Sequence, residues 1–202
     1  MHQRSPNRLG VEETADGATV GLEWRAELGR EIMSAEEISP AMSSTCVRRL
    51  DGGDRAGIER HLLELDLVSR NCRFNSGFGD AAVAAYVRSL DVTTDLLFGA
   101  IEESSGRIVG LAEARPAAAW LTVEVGTSVL PTHRRRGLAR ELIARAVAVA
   151  FAEGVTAAEF LFDPTNSAAG RIAARLGAKS YLPGRAVLHA PSEPSVELLR
   201  SV

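Results

Sequence analysis

VEVGTSVLPTHRRRGLARELIARAV, residues 123–147, is the stretch on which the reading of this chain turns. It opens inside an apolar strand that spans Leu121 to Leu130 and is stopped by Pro131, which can neither donate to a sheet ladder nor hold a strand conformation freely. It closes in a helix from Leu138 to Glu153, with Leu138, Leu142, Ala146 and Val149 along one face and Gly154 as its stop. Between them lies a loop of arginines and glycine. A helix N-terminus presents backbone N–H groups that the helix itself does not use, together with a partial positive charge, so it is a ready anion site. Gly137 permits close backbone approach, and Arg134, Arg135, Arg136 and Arg140 gather positive charge around that point.

The charge is local. The 202-residue chain carries a net charge of −3, so no global basic field would gather nucleic acid or an anionic membrane. Hydrophobic residues make up 46% and charged residues 24%, the balance of a globular domain able to offset its chain entropy by burial. Cys46 and Cys72 are too few for a disulfide framework, have no CxxC or histidine neighbour to suggest a metal, and are expected to be buried free thiols. No apolar run approaches the roughly 18 residues of a membrane span, and MHQRSPNRLG at the N-terminus lacks a secretory core. A cytoplasmic location with no membrane partner is the expectation.

Working outward, residues 1–43 show no sustained period and read as a mobile extension, with a short helix over LEWRAELGREIM (Leu22 to Met33) and with Met33 and Met42 as alternative starts. The domain proper spans 44–190, and residues 191–202 (ending PSVELLRSV) read as a tail. Cys46 to Leu50 is a strand; Asp54 caps a helix to about Val68, with Ile58, Leu62 and Leu65 at helical spacing; Asp80 caps a second to about Leu90. Leu96 to Glu102 and Arg107 to Ala114 form a hairpin across Ser104-Ser105-Gly106. Downstream, Ala157 to Phe162 is a strand, Ser167 to Leu176 a helix closed by Gly177, and Lys179 to His189 one or two strands. Strands followed by alternating helices and strands argue for a mixed α/β domain.

At the arginine loop the sequence resembles the GNAT N-acetyltransferase superfamily, whose signature there is Q/R-x-x-G-x-G/A; Arg134, Gly137 and Ala139 fit it. Val129 and Pro131 resemble the usual V-x-P approach, and Asn166-Ser167-Ala168-Ala169 with Arg175-Leu176-Gly177-Ala178 resembles the helix after the fifth strand. The resemblance covers about residues 45–190. It implies an α/β (α+β) GNAT fold: a central mixed, mostly antiparallel sheet of six to seven strands flanked by about four helices. It implies acetyl-CoA as acyl-donor cosubstrate and no metal. Thr127, Ser128 and Val129 would bond the pantetheine arm through their backbone, and the loop from Arg134 through Arg135, Arg136, Gly137, Leu138, Ala139 and Arg140 would hold the pyrophosphate. Asn166 would approach the lower cofactor arm, or simply cap its helix. The acceptor would be an amine of a small molecule or a protein, bound against the first two helices, their link SRNCRFNSGFGD and the C-terminal strands. A homodimer through those strands is compatible with the resemblance.

Two family positions are empty of their usual chemistry. Where many relatives keep an acidic tyrosine stands Ala173, and where some keep a basic glutamate stands Leu161. Glu124, on the strand face opposite Val123 and Val125, is then the candidate base, with Glu113 and Glu159 behind it and Tyr181 as candidate acid. Arg70, Arg73 and Phe74 either contact the acceptor or tie the helix pair to the sheet. Two other readings compete. Gly77-Phe78-Gly79-Asp80-Ala81-Ala82 matches G-x-G-x-x-A, but the polar SRNCRFNS precedes it where a dinucleotide site needs a buried strand. A non-catalytic domain that senses acyl-CoA is compatible with the missing tyrosine and glutamate.

Overall fold

The computed structural model describes residues 45–74, 78–117 and 121–191. The expected N-terminal extension with its helix, the tail beyond residue 191 and the first glycine of the G-x-G-x-x-A match lie outside those residues. The described elements run β1 (Thr45–Arg49), α1 (Arg55–Glu64), α2 (Leu67–Phe74), α3 (Asp80–Ser89), β2 (Leu96–Glu102), β3 (Ile108–Pro116), β4 (Thr122–Val129), α4 (Leu138–Ala152), β5 (Ala157–Leu161), α5 (Ser167–Arg175), β6 (Lys179–Leu182) and β7 (Arg185–His189).

Seven strands form one sheet in the order β1-β2-β3-β4-β5-β7-β6. Every neighbouring pair is antiparallel except β4 and β5, which run parallel because α4 carries the chain back across the sheet between them. β2 and β3 are apolar almost throughout and buried on both faces, as central strands covered by helices should be. One face receives α4, where Leu138, Leu142, Ile143, Ala146, Val147, Ala150 and Phe151 are buried against β2, β3 and β4. The other receives α1 to α3, with Ile58, Leu62, Val83 and Val87 in the same core. Successive residues of a strand point to opposite faces. On β4, Val129 therefore belongs with α4, while Glu124, Gly126 and Ser128 point toward α1 to α3.

The mixed α/β architecture and the stops at Pro131, Gly154 and Gly177 are as expected, but the first helix is not one piece. Its chain extends at Leu65 (φ −64°, ψ 136°), and Asp66 restarts it by accepting both the N–H and the hydroxyl of Ser69 at 2.8 Å. Five α-helices result among the described residues. Asp54 occupies the N-cap position of α1 without a capping bond, because its carboxylate is held by Arg48 at 2.7 and 2.8 Å and by the Asp51 N–H. Asp80 likewise sits inside α3, after Gly79, and pairs with Arg70 at 2.7 Å. The cysteines are not buried: Cys46 is exposed on the edge strand β1, where its neighbour Val47 takes the inward position, and Cys72 is half-buried on α2.

Candidate active site

The site begins where two strands part. β4 and β5 pair only from Thr122↔Ala157 to Val125↔Phe160, whereas β4 stays paired with β3 as far as Val129. From Gly126 to Val129 the far edge of β4 therefore has no strand beside it. Thr127, Ser128 and Val129 lie on this opening. Their other groups are fixed: Thr127 Oγ1 donates to the Leu111 carbonyl at 3.0 Å, Ser128 is hydrogen bonded to His61 at 2.9 Å, and the Val129 carbonyl accepts from Arg134 Nε at 3.0 Å. His61 Nδ1 faces the Ile108 carbonyl at 3.0 Å, so Nδ1 carries the proton and Nε2 accepts from the Ser128 hydroxyl. Burial pushes the His61 pKa down to about 4.

The opening runs into the turn before α4. Pro131–His133 form a single 3-10 turn, Arg135 and Gly137 both take left-handed backbone angles (φ 62° and 81°), and the first bond of α4 is Glu141 N–H to the Gly137 carbonyl. In a turn, left-handed angles next to right-handed ones turn successive N–H groups toward a common side, as in an anion-binding nest. The amides of the first helical turn point out of the same end. A side chain at Gly137 would be strained in that angle.

The arginines divide into two groups. Arg134 braces the turn: besides the Val129 carbonyl it reaches Ser69 Oγ at 2.6 Å and approaches Asp66 at 3.8 Å, tying the loop to the start of α2. Arg136 donates to the Thr132 carbonyl at 3.2 Å, while the Arg135 side chain is exposed. His133, buried, sits between Thr132 Oγ1 and Glu102, whose carboxyl is held below its ordinary range by Ser105 and then by His133. Leu138 is buried and Ala139 half-buried, so they offer backbone rather than side chain; Arg140 is half-buried on the first turn. Asn166 caps α5, its side-chain oxygen accepting from Ala169 N–H at 3.2 Å.

At the other end of the opening, on the face of α2 and α3, lies a cleft of about 530 Å³. Glu124 and Gly126 of β4 form one wall, Glu113, Arg115 and Pro116 of β3 the floor, and Phe74, Tyr86 and Asp95 the far side. Register makes the neighbours: Glu113 is opposite Gly126 and Arg115 opposite Glu124. Arg73 lies flat on Gly126, where a Cβ would stand 2.6 Å from its guanidinium carbon. It is ion-paired with Glu113, which is 2% exposed and also accepts the Tyr86 hydroxyl. Arg73 donates to the same hydroxyl at 3.1 Å and stacks 5.0 Å from the Phe74 ring. A buried, doubly bonded Glu113 cannot serve as a free base.

Glu124 is the exception among the cleft's carboxylates. It is exposed and carries neither an ion pair nor a side-chain hydrogen bond among the described residues, although Glu159 on β5 is its register partner. Tyr181 stands apart: 47% exposed on β6, it donates to Glu159 at 3.2 Å and does not line the cleft. Arg70 ties α2 to its surroundings through the Leu63 and Leu65 carbonyls and Asp80, whereas Arg73 and Phe74 both anchor and line the cleft. Ala173 is 1% exposed in the core. Sequence reading missed Tyr86, Arg115, Asp95 and Gly126. The one available signal was strand alternation, which puts Gly126 on the face of Glu124.

The acetyltransferase (GNAT) family profile matches residues 68–178, just over half of the chain, and the chain belongs to that family. The fold matches solved members. The GNAT domain of S. lividans PAT superposes at a TM-score of 0.59 with 20% identity, over 72% of this chain and 90% of that one. yncA from Salmonella typhimurium, solved with its cofactor acetyl-CoA, gives 0.59 and 18% over 76% and 98%. A GCN5-related N-acetyltransferase from Kribbella flavida gives 0.60 and 19% over 76% and 100%. No curated protein sequence matches the chain. No helix among the described residues is long and apolar enough to cross a membrane, and no cluster there of three or more His, Cys, Asp or Glu could hold a metal ion.

Proposed function

We propose that this chain moves an acyl group, most simply acetyl, from acetyl-CoA to a primary amine by direct attack. The observation that carries the reading is the continuity of the opening: an unpaired β4 edge from Gly126 to Val129, a nest and helix N-terminus at one end, and a cleft with an unengaged carboxylate at the other. The residues fit the donor. An extended amide-bearing arm can bond a free strand edge as an added strand does, and a diphosphate suits backbone N–H groups at a helix start. Thr127, Ser128 and Val129 would hold the arm, and Arg135 through Arg140 the phosphates, with Asn166 beside the arm.

The thioester supplies an electrophilic carbonyl, and as the new C–N bond forms the C–S bond breaks and CoA leaves as its thiol. What the chain itself must do is hold the amine, remove its proton and keep it aligned. Glu124 stands two residues before Gly126 on the same face, about 7 Å along the strand at the usual rise. From there it can take the ammonium proton directly or through one water. Positioning in the cleft supplies much of the remaining acceleration. Calorimetric titration with acetyl-CoA and CoA, paired with thiol-release assays over a panel of amines, tests the reading. Binding with turnover is expected; binding without turnover on any amine would favour an acyl-CoA sensor, and no binding would end both.

A further inference from the structure

The cleft has charges of both signs, and their engagement is uneven. Arg73 is neutralised by Glu113. Asp95, 4% exposed, accepts the Asp91 N–H at 2.8 Å and meets Arg115 Nε at 3.3 Å. Asp91 accepts the Thr93 N–H and hydroxyl at 2.9 and 2.6 Å. Two groups remain available: Glu124, without any partner among the described residues, and the outer part of Arg115, whose side chain is 36% exposed above the Tyr86 ring. They are directly opposite each other across β3 and β4. Opposite charges in that relation have Cβ atoms roughly 5 Å apart and ordinarily pair. Here they do not; Arg115 Nε meets Asp95 instead.

We infer that the acceptor is a free α-amino acid with an apolar side chain, its carboxylate on Arg115 and its ammonium on Glu124. This rests on the acyltransfer reading above. A ligand with both charges on one carbon completes both unfinished interactions at once, and planar guanidinium suits a carboxylate better than any other side chain. The orientation is productive: an amine at Glu124 lies between that carboxylate and the start of the open edge at Gly126. Phe74, Tyr86 and Pro116 line the remaining wall, which suits an aliphatic or aromatic side chain. The cleft volume falls in the range of small-molecule sites. Acylation removes the positive charge, so the N-acyl product loses its hold on Glu124 and leaves.

The test is equilibrium binding to the CoA-loaded full-length chain, with thiol release measured in parallel. The probes are leucine, methionine, phenylalanine and tryptophan, each beside its α-amide and its decarboxylated amine. At least one free amino acid is expected to bind 10-fold or more tighter than its amide and its amine. Arg115→Met should erase that difference by weakening the free amino acid alone, with acetyl-CoA affinity unchanged, and Arg115→Lys should restore part of it. Equal or tighter binding of the amides or amines, or no amino-acid binding, overturns the proposal whatever the variants do. Amino-acid binding without thiol release would leave the amino-acid site on Arg115 and Glu124 standing and remove the acyltransfer reading, and with it the role of acceptor.

Discussion

Among the carboxylates of the cleft, Glu113, Asp91 and Asp95 are each held by a cation or by hydrogen bonds, while Glu124 is held by nothing described. A general base needs that freedom, and its removal ordinarily costs about 10²- to 10⁴-fold in rate. Glu124→Gln should therefore lower kcat by about 10²-fold or more while leaving the acetyl-CoA Kd near wild type; unchanged turnover would take Glu124 out of the mechanism. The nest makes a second distinction. If backbone N–H groups hold the phosphates, Arg135→Ala should weaken acetyl-CoA binding only a few-fold, whereas Gly137→Val, strained at φ 81°, should nearly abolish it. Equal losses in titration would mean that charge makes the site. Glu124, Arg135 and Gly137 were legible because each sits within a contiguous stretch whose local pattern carries the meaning. Arg73 and Glu113 were named singly, but their meeting with Tyr86 was not legible, because it depends on α2, α3 and β3 converging, and no spacing between positions 73, 86 and 113 encodes it.

Between elements, the contact of α2 with β4 matters most. Gly126 lets the Arg73 guanidinium lie on the strand, and Arg73 in turn neutralises a fully buried carboxylate. Breaking a buried pair by removing one partner typically costs about 3–5 kcal/mol, because the other charge is left desolvated. Gly126→Ala should displace the guanidinium, lower the Tm and raise the acceptor KM more than the acetyl-CoA KM. A normal Tm with unchanged KM values would show that Arg73 has another place to go. α2 itself went unseen in the sequence: the apolar spacing of Ile58, Leu62 and Leu65 continues into Val68, and only the local bonds of Asp66 to Ser69 reveal that the chain breaks and restarts. A side chain that competes for backbone groups can end one helix and begin the next without any proline or glycine.

For the molecule as a whole, the mixed α/β class, the β2–β3 hairpin and the long amphipathic α4 were legible in the sequence and the mixed, mostly antiparallel sheet was implied by the family resemblance, whereas the strand order and the parallel β4–β5 pair come from the structure. His61 was hidden, since a histidine among leucines on α1 gives no hint that it joins α1 to β3 and β4. Its consequence is a pH dependence. Unfolded histidine has a pKa near 6.5 and His61 in the fold about 4, so the unfolded chain binds the extra proton between those values. Stability is therefore full above about pH 6.5 and falls as the pH drops toward 4, by on the order of 3 kcal/mol at 1.36 kcal/mol per pKa unit. Denaturant melts from pH 7.5 to 4 should show that slope, and His61→Gln should flatten it; parallel curves would assign acid sensitivity elsewhere. The parting of β4 from β5 also has a mechanical meaning. Four ladder pairs, Thr122 to Val125 with Ala157 to Phe160, and the bonds of Thr156 and Ala157 to the Leu121 carbonyl join the sheet's larger half to the β5-β7-β6 ribbon that α5 covers. That seam is where the molecule should open first under heat or load. Amides of β5 and β7 should exchange with solvent earlier than those of β2 and β3, and anything laid along the seam would stitch the two halves together.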